Sequence, residues 1–284
     1  MAKLLNGKEV ANSISKQLLT KIEKLKAKGI TPTLAIVRVG ERQADISYEK
    51  GAVNRCAKLG IEVRHFNLSN NCKMDELLNV IKTINEDVSI NGCLMFRPLP
   101  KTLDEKIACA ALAPEKDVDC ITEQSLTGIF TAHAVGYPPC TAQACLEILE
   151  YFGYELDGKK VTVVGRSLVI GKPIAMMLLN KNATVTICHS HTKNIEEAWQ
   201  EADIIILAVG KAKMLKENGL NSHQVVIDVG INIDENGKLC GDADFAVVEP
   251  VVKAITPVPG GVGAVTTSVL AKHVVTAAIK SMEQ

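Results

Sequence analysis

The stretch VTVVGRSLVIGKP, residues 161–173, decides the fold. Four β-preferring residues, 161–164, run into Gly165, and Gly171 follows at the head of the apolar segment PIAMMLLN. That pattern reads as strand, tight turn and helix. A strand delivered through glycine to a helix N-terminus leaves backbone N–H groups and the positive end of the helix dipole at one spot, which suits a phosphate. The dinucleotide fingerprint G-x-G-x-x-G is incomplete, because Ser167 stands where its second glycine falls. A plain βα turn would give the same glycine pair. The next strand, 183–188 (ATVTIC), strengthens the nucleotide reading: it ends in His189, Ser190, His191 and Thr192, with no acidic residue to take a ribose 2′-hydroxyl. A hydroxyl at Ser190 and a guanidinium at Arg166 suit a 2′-phosphate instead, so the predicted cofactor is NADP.

Working outward, βαβ units surround this stretch. Residues 8–28 carry Val10, Ile14, Leu18, Ile22 and Leu25 on one helical face, ending at Gly29. TLAIVRVG (33–40) is a near-continuous apolar run, as expected of a buried parallel strand, and a helix from about 46 to 59 closes at Gly60. Strand 61–68, helix 74–87 and strand 90–96 follow, then an apolar helix to Leu112 and a loop-rich segment to Pro139. The helix at 141–153 leads into the opening stretch. Beyond it lie a helix at 195–201, strands 203–210 and 225–232, the loop TPVPGGVG (256–263) and a last helix, 267–282. This alternation predicts parallel α/β sheets, with a domain boundary near residue 140.

Composition narrows the function classes. The chain has 284 residues, 47% hydrophobic and 4% aromatic, enough for two aliphatic-cored α/β domains. Thirty-two basic residues balance thirty-two acidic ones, so no bulk charge draws the chain to nucleic acid or a membrane. Neither a signal peptide nor a spanning segment is read in it, and a cytoplasmic location is expected. Nine scattered cysteines without C-x-x-C or zinc spacing are expected to be buried thiols, and no metal is expected.

Several motifs, in order, carry a resemblance along nearly the whole chain: PEKDVD (114–119), PCT (139–141), VVGRSxxxGxP (163–173), VTxCHS (185–190), VIDVGIN (226–232) and TPVPGGVG (256–263). The chain resembles the FolD family of methylenetetrahydrofolate dehydrogenase/methenyltetrahydrofolate cyclohydrolase. The resemblance implies two α/β domains across a cleft: a folate-binding domain of residues 1–140 plus 267–284, and a Rossmann-type NADP-binding domain of residues 141–266. It implies a homodimer with a folate substrate. It also implies that Tyr48 contacts the folate and reacting centre, that Asp119 binds the pterin, and that Pro259, Gly260 and Gly261 shape the folate pocket. Gly165, Arg166, Ser167, Ser190 and Ile231 are the implied cofactor contacts.

The departures cluster on the folate side. Family members with both activities carry a lysine four residues after the tyrosine and a glutamine two residues before the first proline of PLP; here these are Ala52 and Phe96. On a helix, Ala52 lies ~40° from Tyr48 but Lys50 lies ~200° away, so Lys50 is no substitute. Arg55 returns to the Tyr48 face, yet a guanidinium stays protonated. Arg97 adds a charge beside Phe96, Asp45 replaces a serine, Ala142 replaces the proline of PCTP, and GAVT replaces GPMT at 263–266. Hydride transfer needs no protein acid or base, whereas hydrolysis of the resulting amidinium does. The expectation is an NADP-dependent methylenetetrahydrofolate dehydrogenase with its cyclohydrolase in doubt. Two alternatives stay open: the full bifunctional enzyme, with Arg97 or Asp45 in the lysine's place, and a folate- or nucleotide-binding regulator that has lost catalysis.

Overall fold

A computed structural model describes residues 1–133 and 135–282. In chain order the elements are β1 (Lys3–Leu4), α1 (Gly7–Lys26), β2 (Thr33–Val39), α2 (Gln43–Leu59), β3 (Glu62–Leu68), α3 (Met74–Glu86), β4 (Gly92–Met95), α4 (Glu105–Ala111), α5 (Glu123–Thr131) and α6 (Cys140–Tyr151). Then come β5 (Lys160–Val164), α7 (Gly171–Leu179), β6 (Thr184–Cys188), α8 (Ile195–Gln200), β7 (Ile204–Leu207), β8 (Val225–Asp228), β9 (Asn232–Ile233), β10 (Leu239–Cys240), α9 (Phe245–Val248), β11 (Ala254–Ile255) and α10 (Thr266–Lys280). They form two compact units: Ser13–Cys140 with the chain from Thr267, and Met1–Asn12 with Thr141–Thr266.

The first unit holds a parallel three-stranded sheet in the order β3-β2-β4. TLAIVRV becomes the central strand, and six of its seven residues are buried, as its unbroken apolar run requires. β3 is an edge strand, partnered on one side, and its burial alternates accordingly. Leu77, Ile81 and Ile84 of α3 pack on Ala35 and Val37 of β2 and on Cys93 and Met95 of β4 in one core. Gly60 ends α2 as expected: at φ 74° it takes the left-handed conformation that glycine adopts without strain, and its N–H reaches Ala57 O.

The second unit is a six-stranded parallel sheet in the order β1-β11-β8-β7-β5-β6. The sequence steps outward from β5 in both directions, to β6 on one side and to β7 and β8 on the other, so a topological switch point falls between β5 and β7. Ligands of open parallel sheets bind outside the carboxyl ends of strands at such a point.

Four features differ from the sequence expectation. Residues 1–12 cluster with the second unit, because β1 pairs with β11 in its sheet. The segment expected to be loop-rich contains α5, started by Thr122, whose Oγ accepts the Ser125 N–H at 3.1 Å. The run expected as a strand over 203–210 is β7 alone. That expected over 225–232 splits into β8 and the start of the β9–β10 hairpin. All nine cysteines are free thiols, buried except for half-buried Cys240. Among the described residues no helix is long and apolar enough to cross a membrane, and no group of His, Cys, Asp and Glu could hold a metal ion.

Within PEKDVD, two residues are structural. Lys116, nearly buried, donates to Ile84 O and Asp87 O at the end of α3, and burial lowers its pKa. Asp117, with no exposure, accepts from Ile121 N, Thr122 N and Thr122 Oγ1 at 2.8–2.9 Å. Asp117→Ala leaves two buried backbone donors unpaired, since the Thr122 hydroxyl also reaches Ser125 Oγ at 2.9 Å, and is expected to cost about 2 kcal/mol or more, read as a lowered midpoint in urea unfolding with an unchanged m-value.

Candidate active-site residues in each unit

In the first unit, α2 carries Tyr48, Glu49 and Ala52. Tyr48 is half-buried, and its ring meets Phe96 edge to face with centroids 6.0 Å apart and an interplanar angle of 82°. Ala52 has no exposure at all. The helical geometry expected from sequence holds: Lys50 is exposed, and Arg55 donates to Ser15 Oγ at 3.0 Å on α1. Glu49 is buried, accepting from Arg38 Nε at 2.7 Å and lying 2.8 Å from His65 Nδ1.

The other charges named from sequence are paired. Asp45 accepts from both Nε and Nη2 of Arg42, whose Nη2 also donates to Arg97 O at 2.6 Å. Arg97 lies 3.7 Å from Glu105, and Glu105 accepts the Leu99 N–H. Asp119 is half-buried and accepts the Cys140 N–H at 2.9 Å. Desolvation pushes its carboxyl up to about 6, with the Cys140 hydrogen bonds pulling the other way. The loop before it is pinned from α10, where His273 Nδ1 lies 2.9 Å from Val118 O. Burial raises the Cys140 thiol well above its ordinary range, so Cys140 serves Asp119 through its backbone rather than as a nucleophile.

In the second unit, Gly165 N–H donates to Cys188 O at 2.9 Å, setting the loop after β5 beside the end of β6. Gly165 has φ 128°, and a Cβ on it would stand 2.3 Å from the O of Ala208, the residue after β7; a Cβ on Gly171 would stand 2.2 Å from Gly165 O. Only glycine lets these backbones approach so closely, and the approach brings the start of α7 to the carboxyl ends of β5 and β7. Ser167 Oγ accepts the Ile170 N–H at 3.1 Å inside this turn, while Arg166 is exposed. Ser190 is exposed on the turn after β6, and Ile231 is 69% exposed after β8. Gly260 O accepts the Gly7 N–H at 2.8 Å, which ties the loop of Pro259, Gly260 and Gly261 to the start of α1. A pyrophosphate-bearing cofactor fits the glycine-lined approach at the switch point.

Two carboxylates absent from the expected site support these loops. Asp242, with no exposure, accepts from Val209, Gly210 and Lys211 N–H at 2.8–3.1 Å and from Asn232 Nδ2 at 2.9 Å. Asp228 accepts from Gly230, Asp242 and Ala243 N–H, and burial pushes its carboxyl up to about 6 despite these donors. Asp228 stands in VIDVGIN and was legible as part of a motif. Asp242 has no local signal, since most of its partners lie about thirty positions away in sequence.

Fold and site together define a two-unit α/β protein with a dinucleotide-type second unit. Residues 5–119 match the family model described as "Tetrahydrofolate dehydrogenase/cyclohydrolase, catalytic domain", and residues 139–282 match that of its "NAD(P)-binding domain". The chain is 48% identical over 277 residues to the bifunctional protein FolD of Alkaliphilus metalliredigens, covering 98% of each, and 50% identical over 274 residues to that of Clostridioides difficile, covering 96% of each. The solved FolD methylenetetrahydrofolate dehydrogenase/cyclohydrolase from Campylobacter jejuni superposes with a TM-score of 0.96 at 35% identity, covering 99% of each chain. That from Trypanosoma brucei, complexed with NADP cofactor and inhibitor, superposes at 0.93 with 31% identity, covering 100% of this chain and 99% of that one. The chain belongs to the tetrahydrofolate dehydrogenase/cyclohydrolase family, and its second unit is an NAD(P)-binding domain.

Gly171→Ala places a methyl group against Gly165 O and must push α7 away from β5. NADPH binding, followed by fluorescence titration, is expected to weaken at least about tenfold, equivalent to ~1.4 kcal/mol, while the far-ultraviolet circular dichroism stays unchanged.

Proposed function

We propose that this protein oxidises methylenetetrahydrofolate with NADP and hydrolyses the methenyl product slowly. The observation that carries the reading is the environment of Tyr48: Ala52 is fully buried where the family pattern has lysine, and Phe96 stands edge-on to the tyrosine ring. When bound, NADP would supply the acceptor for a hydride from the one-carbon bridge of the substrate. This leaves an amidinium stabilised by its two nitrogens, so the protein has to orient the folate and exclude water rather than move a proton. In this reading Tyr48 lies along the folate, and Asp119 accepts N–H donors of the pterin edge. Pro259, Gly260 and Gly261 shape the folate pocket; Gly165, Arg166, Ser167, Ser190 and Ile231 take the cofactor. Exposed Arg166 and Ser190, with no carboxylate on the turn after β6, support NADP over NAD.

Hydrolysis makes a further demand, because water loses a proton as it adds and a ring nitrogen gains one as it leaves. The substitutes considered from sequence are engaged elsewhere: Arg97 and Asp45 are ion-paired, Arg55 is bonded to Ser15, and Lys50 is exposed. One observation favours a second reading, the full bifunctional enzyme. The Asp119 carboxyl, at about 6, titrates in the range a general base needs. Homodimeric assembly and a cytoplasmic location belong to the proposal and rest on family membership alone.

Given methylenetetrahydrofolate and NADP, the protein is expected to accumulate methenyltetrahydrofolate, seen by its absorbance, and Ala52→Lys with Phe96→Gln is expected to raise hydrolysis by a factor within the ~10²–10⁴ that acid–base help supplies. Fast hydrolysis by the unmutated chain, orders of magnitude above the spontaneous rate, would give the assignment to the second reading.

The raised Asp119 pKa fixes a sign for folate binding. The carboxylate, which accepts hydrogen bonds, is present above about pH 6 and is lost as pH falls through that value. The folate KM is therefore expected to rise below about pH 6 and to be flat above it, and Asp119→Asn should abolish that dependence. Asp119→Ala is expected to weaken folate binding by ~3 kcal/mol or more, with NADP affinity nearly unchanged. Equal losses of both ligands would make Asp119 structural.

A further inference from the structure

A cavity of about 770 Å³, within the range of small-molecule sites, lies in the first unit at the end of the three-stranded sheet away from Phe96. Thr31 and Asn91, which line it, come just before β2 and β4, whereas Phe96 follows β4. Cys93 and Asp117 form a parallel bridge, so PEKDVD runs alongside β4 with Lys116 toward the cavity and Asp119 toward the other end. Three lining residues, Lys116, Asn91 and Tyr137, are only 7–8% exposed. Lys116 gives two N–H bonds to Ile84 O and Asp87 O; these carbonyls at the end of α3 favour the ammonium form, which carries a third N–H. Among the described residues no carboxylate is paired with it: Asp87 is held by Arg64 and Ser89, and Glu115 is exposed. Asn91 Oδ1 accepts the Thr33 N–H at 2.9 Å, which fixes the amide and makes Nδ2 a donor with no partner among the described residues. The Tyr137 ring lies against His273, with centroids 5.1 Å apart, and 5.0 Å from Lys280 Nζ. Burial pushes its hydroxyl up to about 12, so it stays a neutral donor, and it too has no hydrogen-bond partner among the described residues. The sealed side-chain atom without a partner among those residues is Ser268 Oγ. Asn91 Nδ2 and the Tyr137 hydroxyl therefore reach open space, and the space both residues border is this cavity.

We infer that this cavity is a binding site for a small organic carboxylate, its head received by Lys116, Asn91 and Tyr137 and its apolar body by Ile30, Ile90 and Val135. The wall supplies hydrogen-bond donors and one interior charge without a counterion, and a carboxylate supplies acceptors and the opposite charge. Exposed Glu115 and Lys280 offset one another, which leaves Lys116 as the charge inside. Phosphate suits the wall less: no arginine lines it, and the carbonyls ending α3 beside Lys116 oppose a second negative charge. Capping of α3 accounts for two of the Lys116 N–H bonds, but not for an amide and a hydroxyl left buried without partners around the same cavity. None of the three groups takes part in the folate or cofactor reading above.

The test is titration of acetate, butyrate, benzoate, benzamide and inorganic phosphate into the full nitrogen-15-labelled chain, followed by its amide resonances. Benzoate is expected to bind with a Kd on the order of 1 mM, as suits a ligand of so few atoms, and at least about tenfold more tightly than benzamide or phosphate. Butyrate and then acetate should follow it in order of apolar size. Y137F removes one donor and keeps the ring, and is expected to weaken benzoate about three- to tenfold. N91D keeps an acceptor for the Thr33 N–H but puts a carboxylate oxygen where Nδ2 stood, and is expected to weaken it at least about tenfold. In the unmutated protein the shifts should include the Asn91 side-chain amide and the backbone amides of Glu115 and Gly136, a readout that stands even where a variant fails to fold. Shifts confined to other residues overturn the site, as does benzoate bound equally by all three proteins or by none. Phosphate bound more tightly than benzoate overturns the carboxylate assignment, and so does benzamide bound equally, which marks the space as an apolar cavity only.

Discussion

Backbone N–H groups in the loops beyond the ends of parallel strands have no ladder partner, and the protein satisfies many of them with buried carboxylates. Asp117, Asp228 and Asp242 are 0–3% exposed, and between them they accept from eight backbone N–H groups. The arrangement also dictates residue size around it. A Cβ on Gly230 would stand 2.4 Å from Asp242 Oδ1, and one on Gly241 would stand 2.0 Å from Asp228 Oδ2. Glycines and aspartates therefore act as one unit: the small residue lets the carboxylate reach the amides, and the carboxylate fixes a loop that would otherwise be free to move. Ile231, in the loop between them, owes its exposed position to that framework.

The first unit applies the same rule to charge. Arg38 is matched by Glu49, Arg42 by Asp45 and Arg97 by Glu105, so the charges at the ends of β2 and β4 are mutually compensated. Asp119 accepts from Cys140, and desolvation outweighs those hydrogen bonds and the Arg97 charge, so its pKa rises. A carboxyl kept short of full compensation has hydrogen-bonding capacity left for a ligand, whereas Asp117, two residues earlier, spends its capacity on the chain.

Much of this was legible in the sequence where the signal is periodic or local. The unbroken apolar run TLAIVRV predicted a central strand, Gly60 predicted a helix end, and the spacing from Tyr48 to Ala52 and Lys50 predicted which side chain is buried. Features set by distant partners were not legible. Two residues, Lys3 and Leu4, make a strand only because β11 lies alongside, and nothing near Asp242 in the chain announces the amides at 209–211. The helix α5 was hidden for another reason: Gly128 and its threonines lower its helical propensity, and the Thr122 cap is the local signal that outweighs them.

Ala52 and Phe96 are best understood as a coupled pair. A lysine at position 52 would bring an ammonium to a place with no exposure, and burying a charge costs several kcal/mol unless a polar group receives it. An aromatic edge-on to Tyr48 offers no hydrogen bond, whereas a side-chain amide does. Lysine with glutamine, or alanine with phenylalanine, are therefore the two self-consistent sets, one polar and satisfied, the other apolar and packed. Either mixed pair leaves a buried polar group without a partner or a small side chain against an amide. Loss of the lysine thus removes the reason for the glutamine, and the two substitutions read as one change from a titrating environment to an apolar one beside Tyr48. Of the two reactions, hydride transfer moves no proton through that environment, whereas hydrolysis needs a titrating group within reach, there or elsewhere in the site.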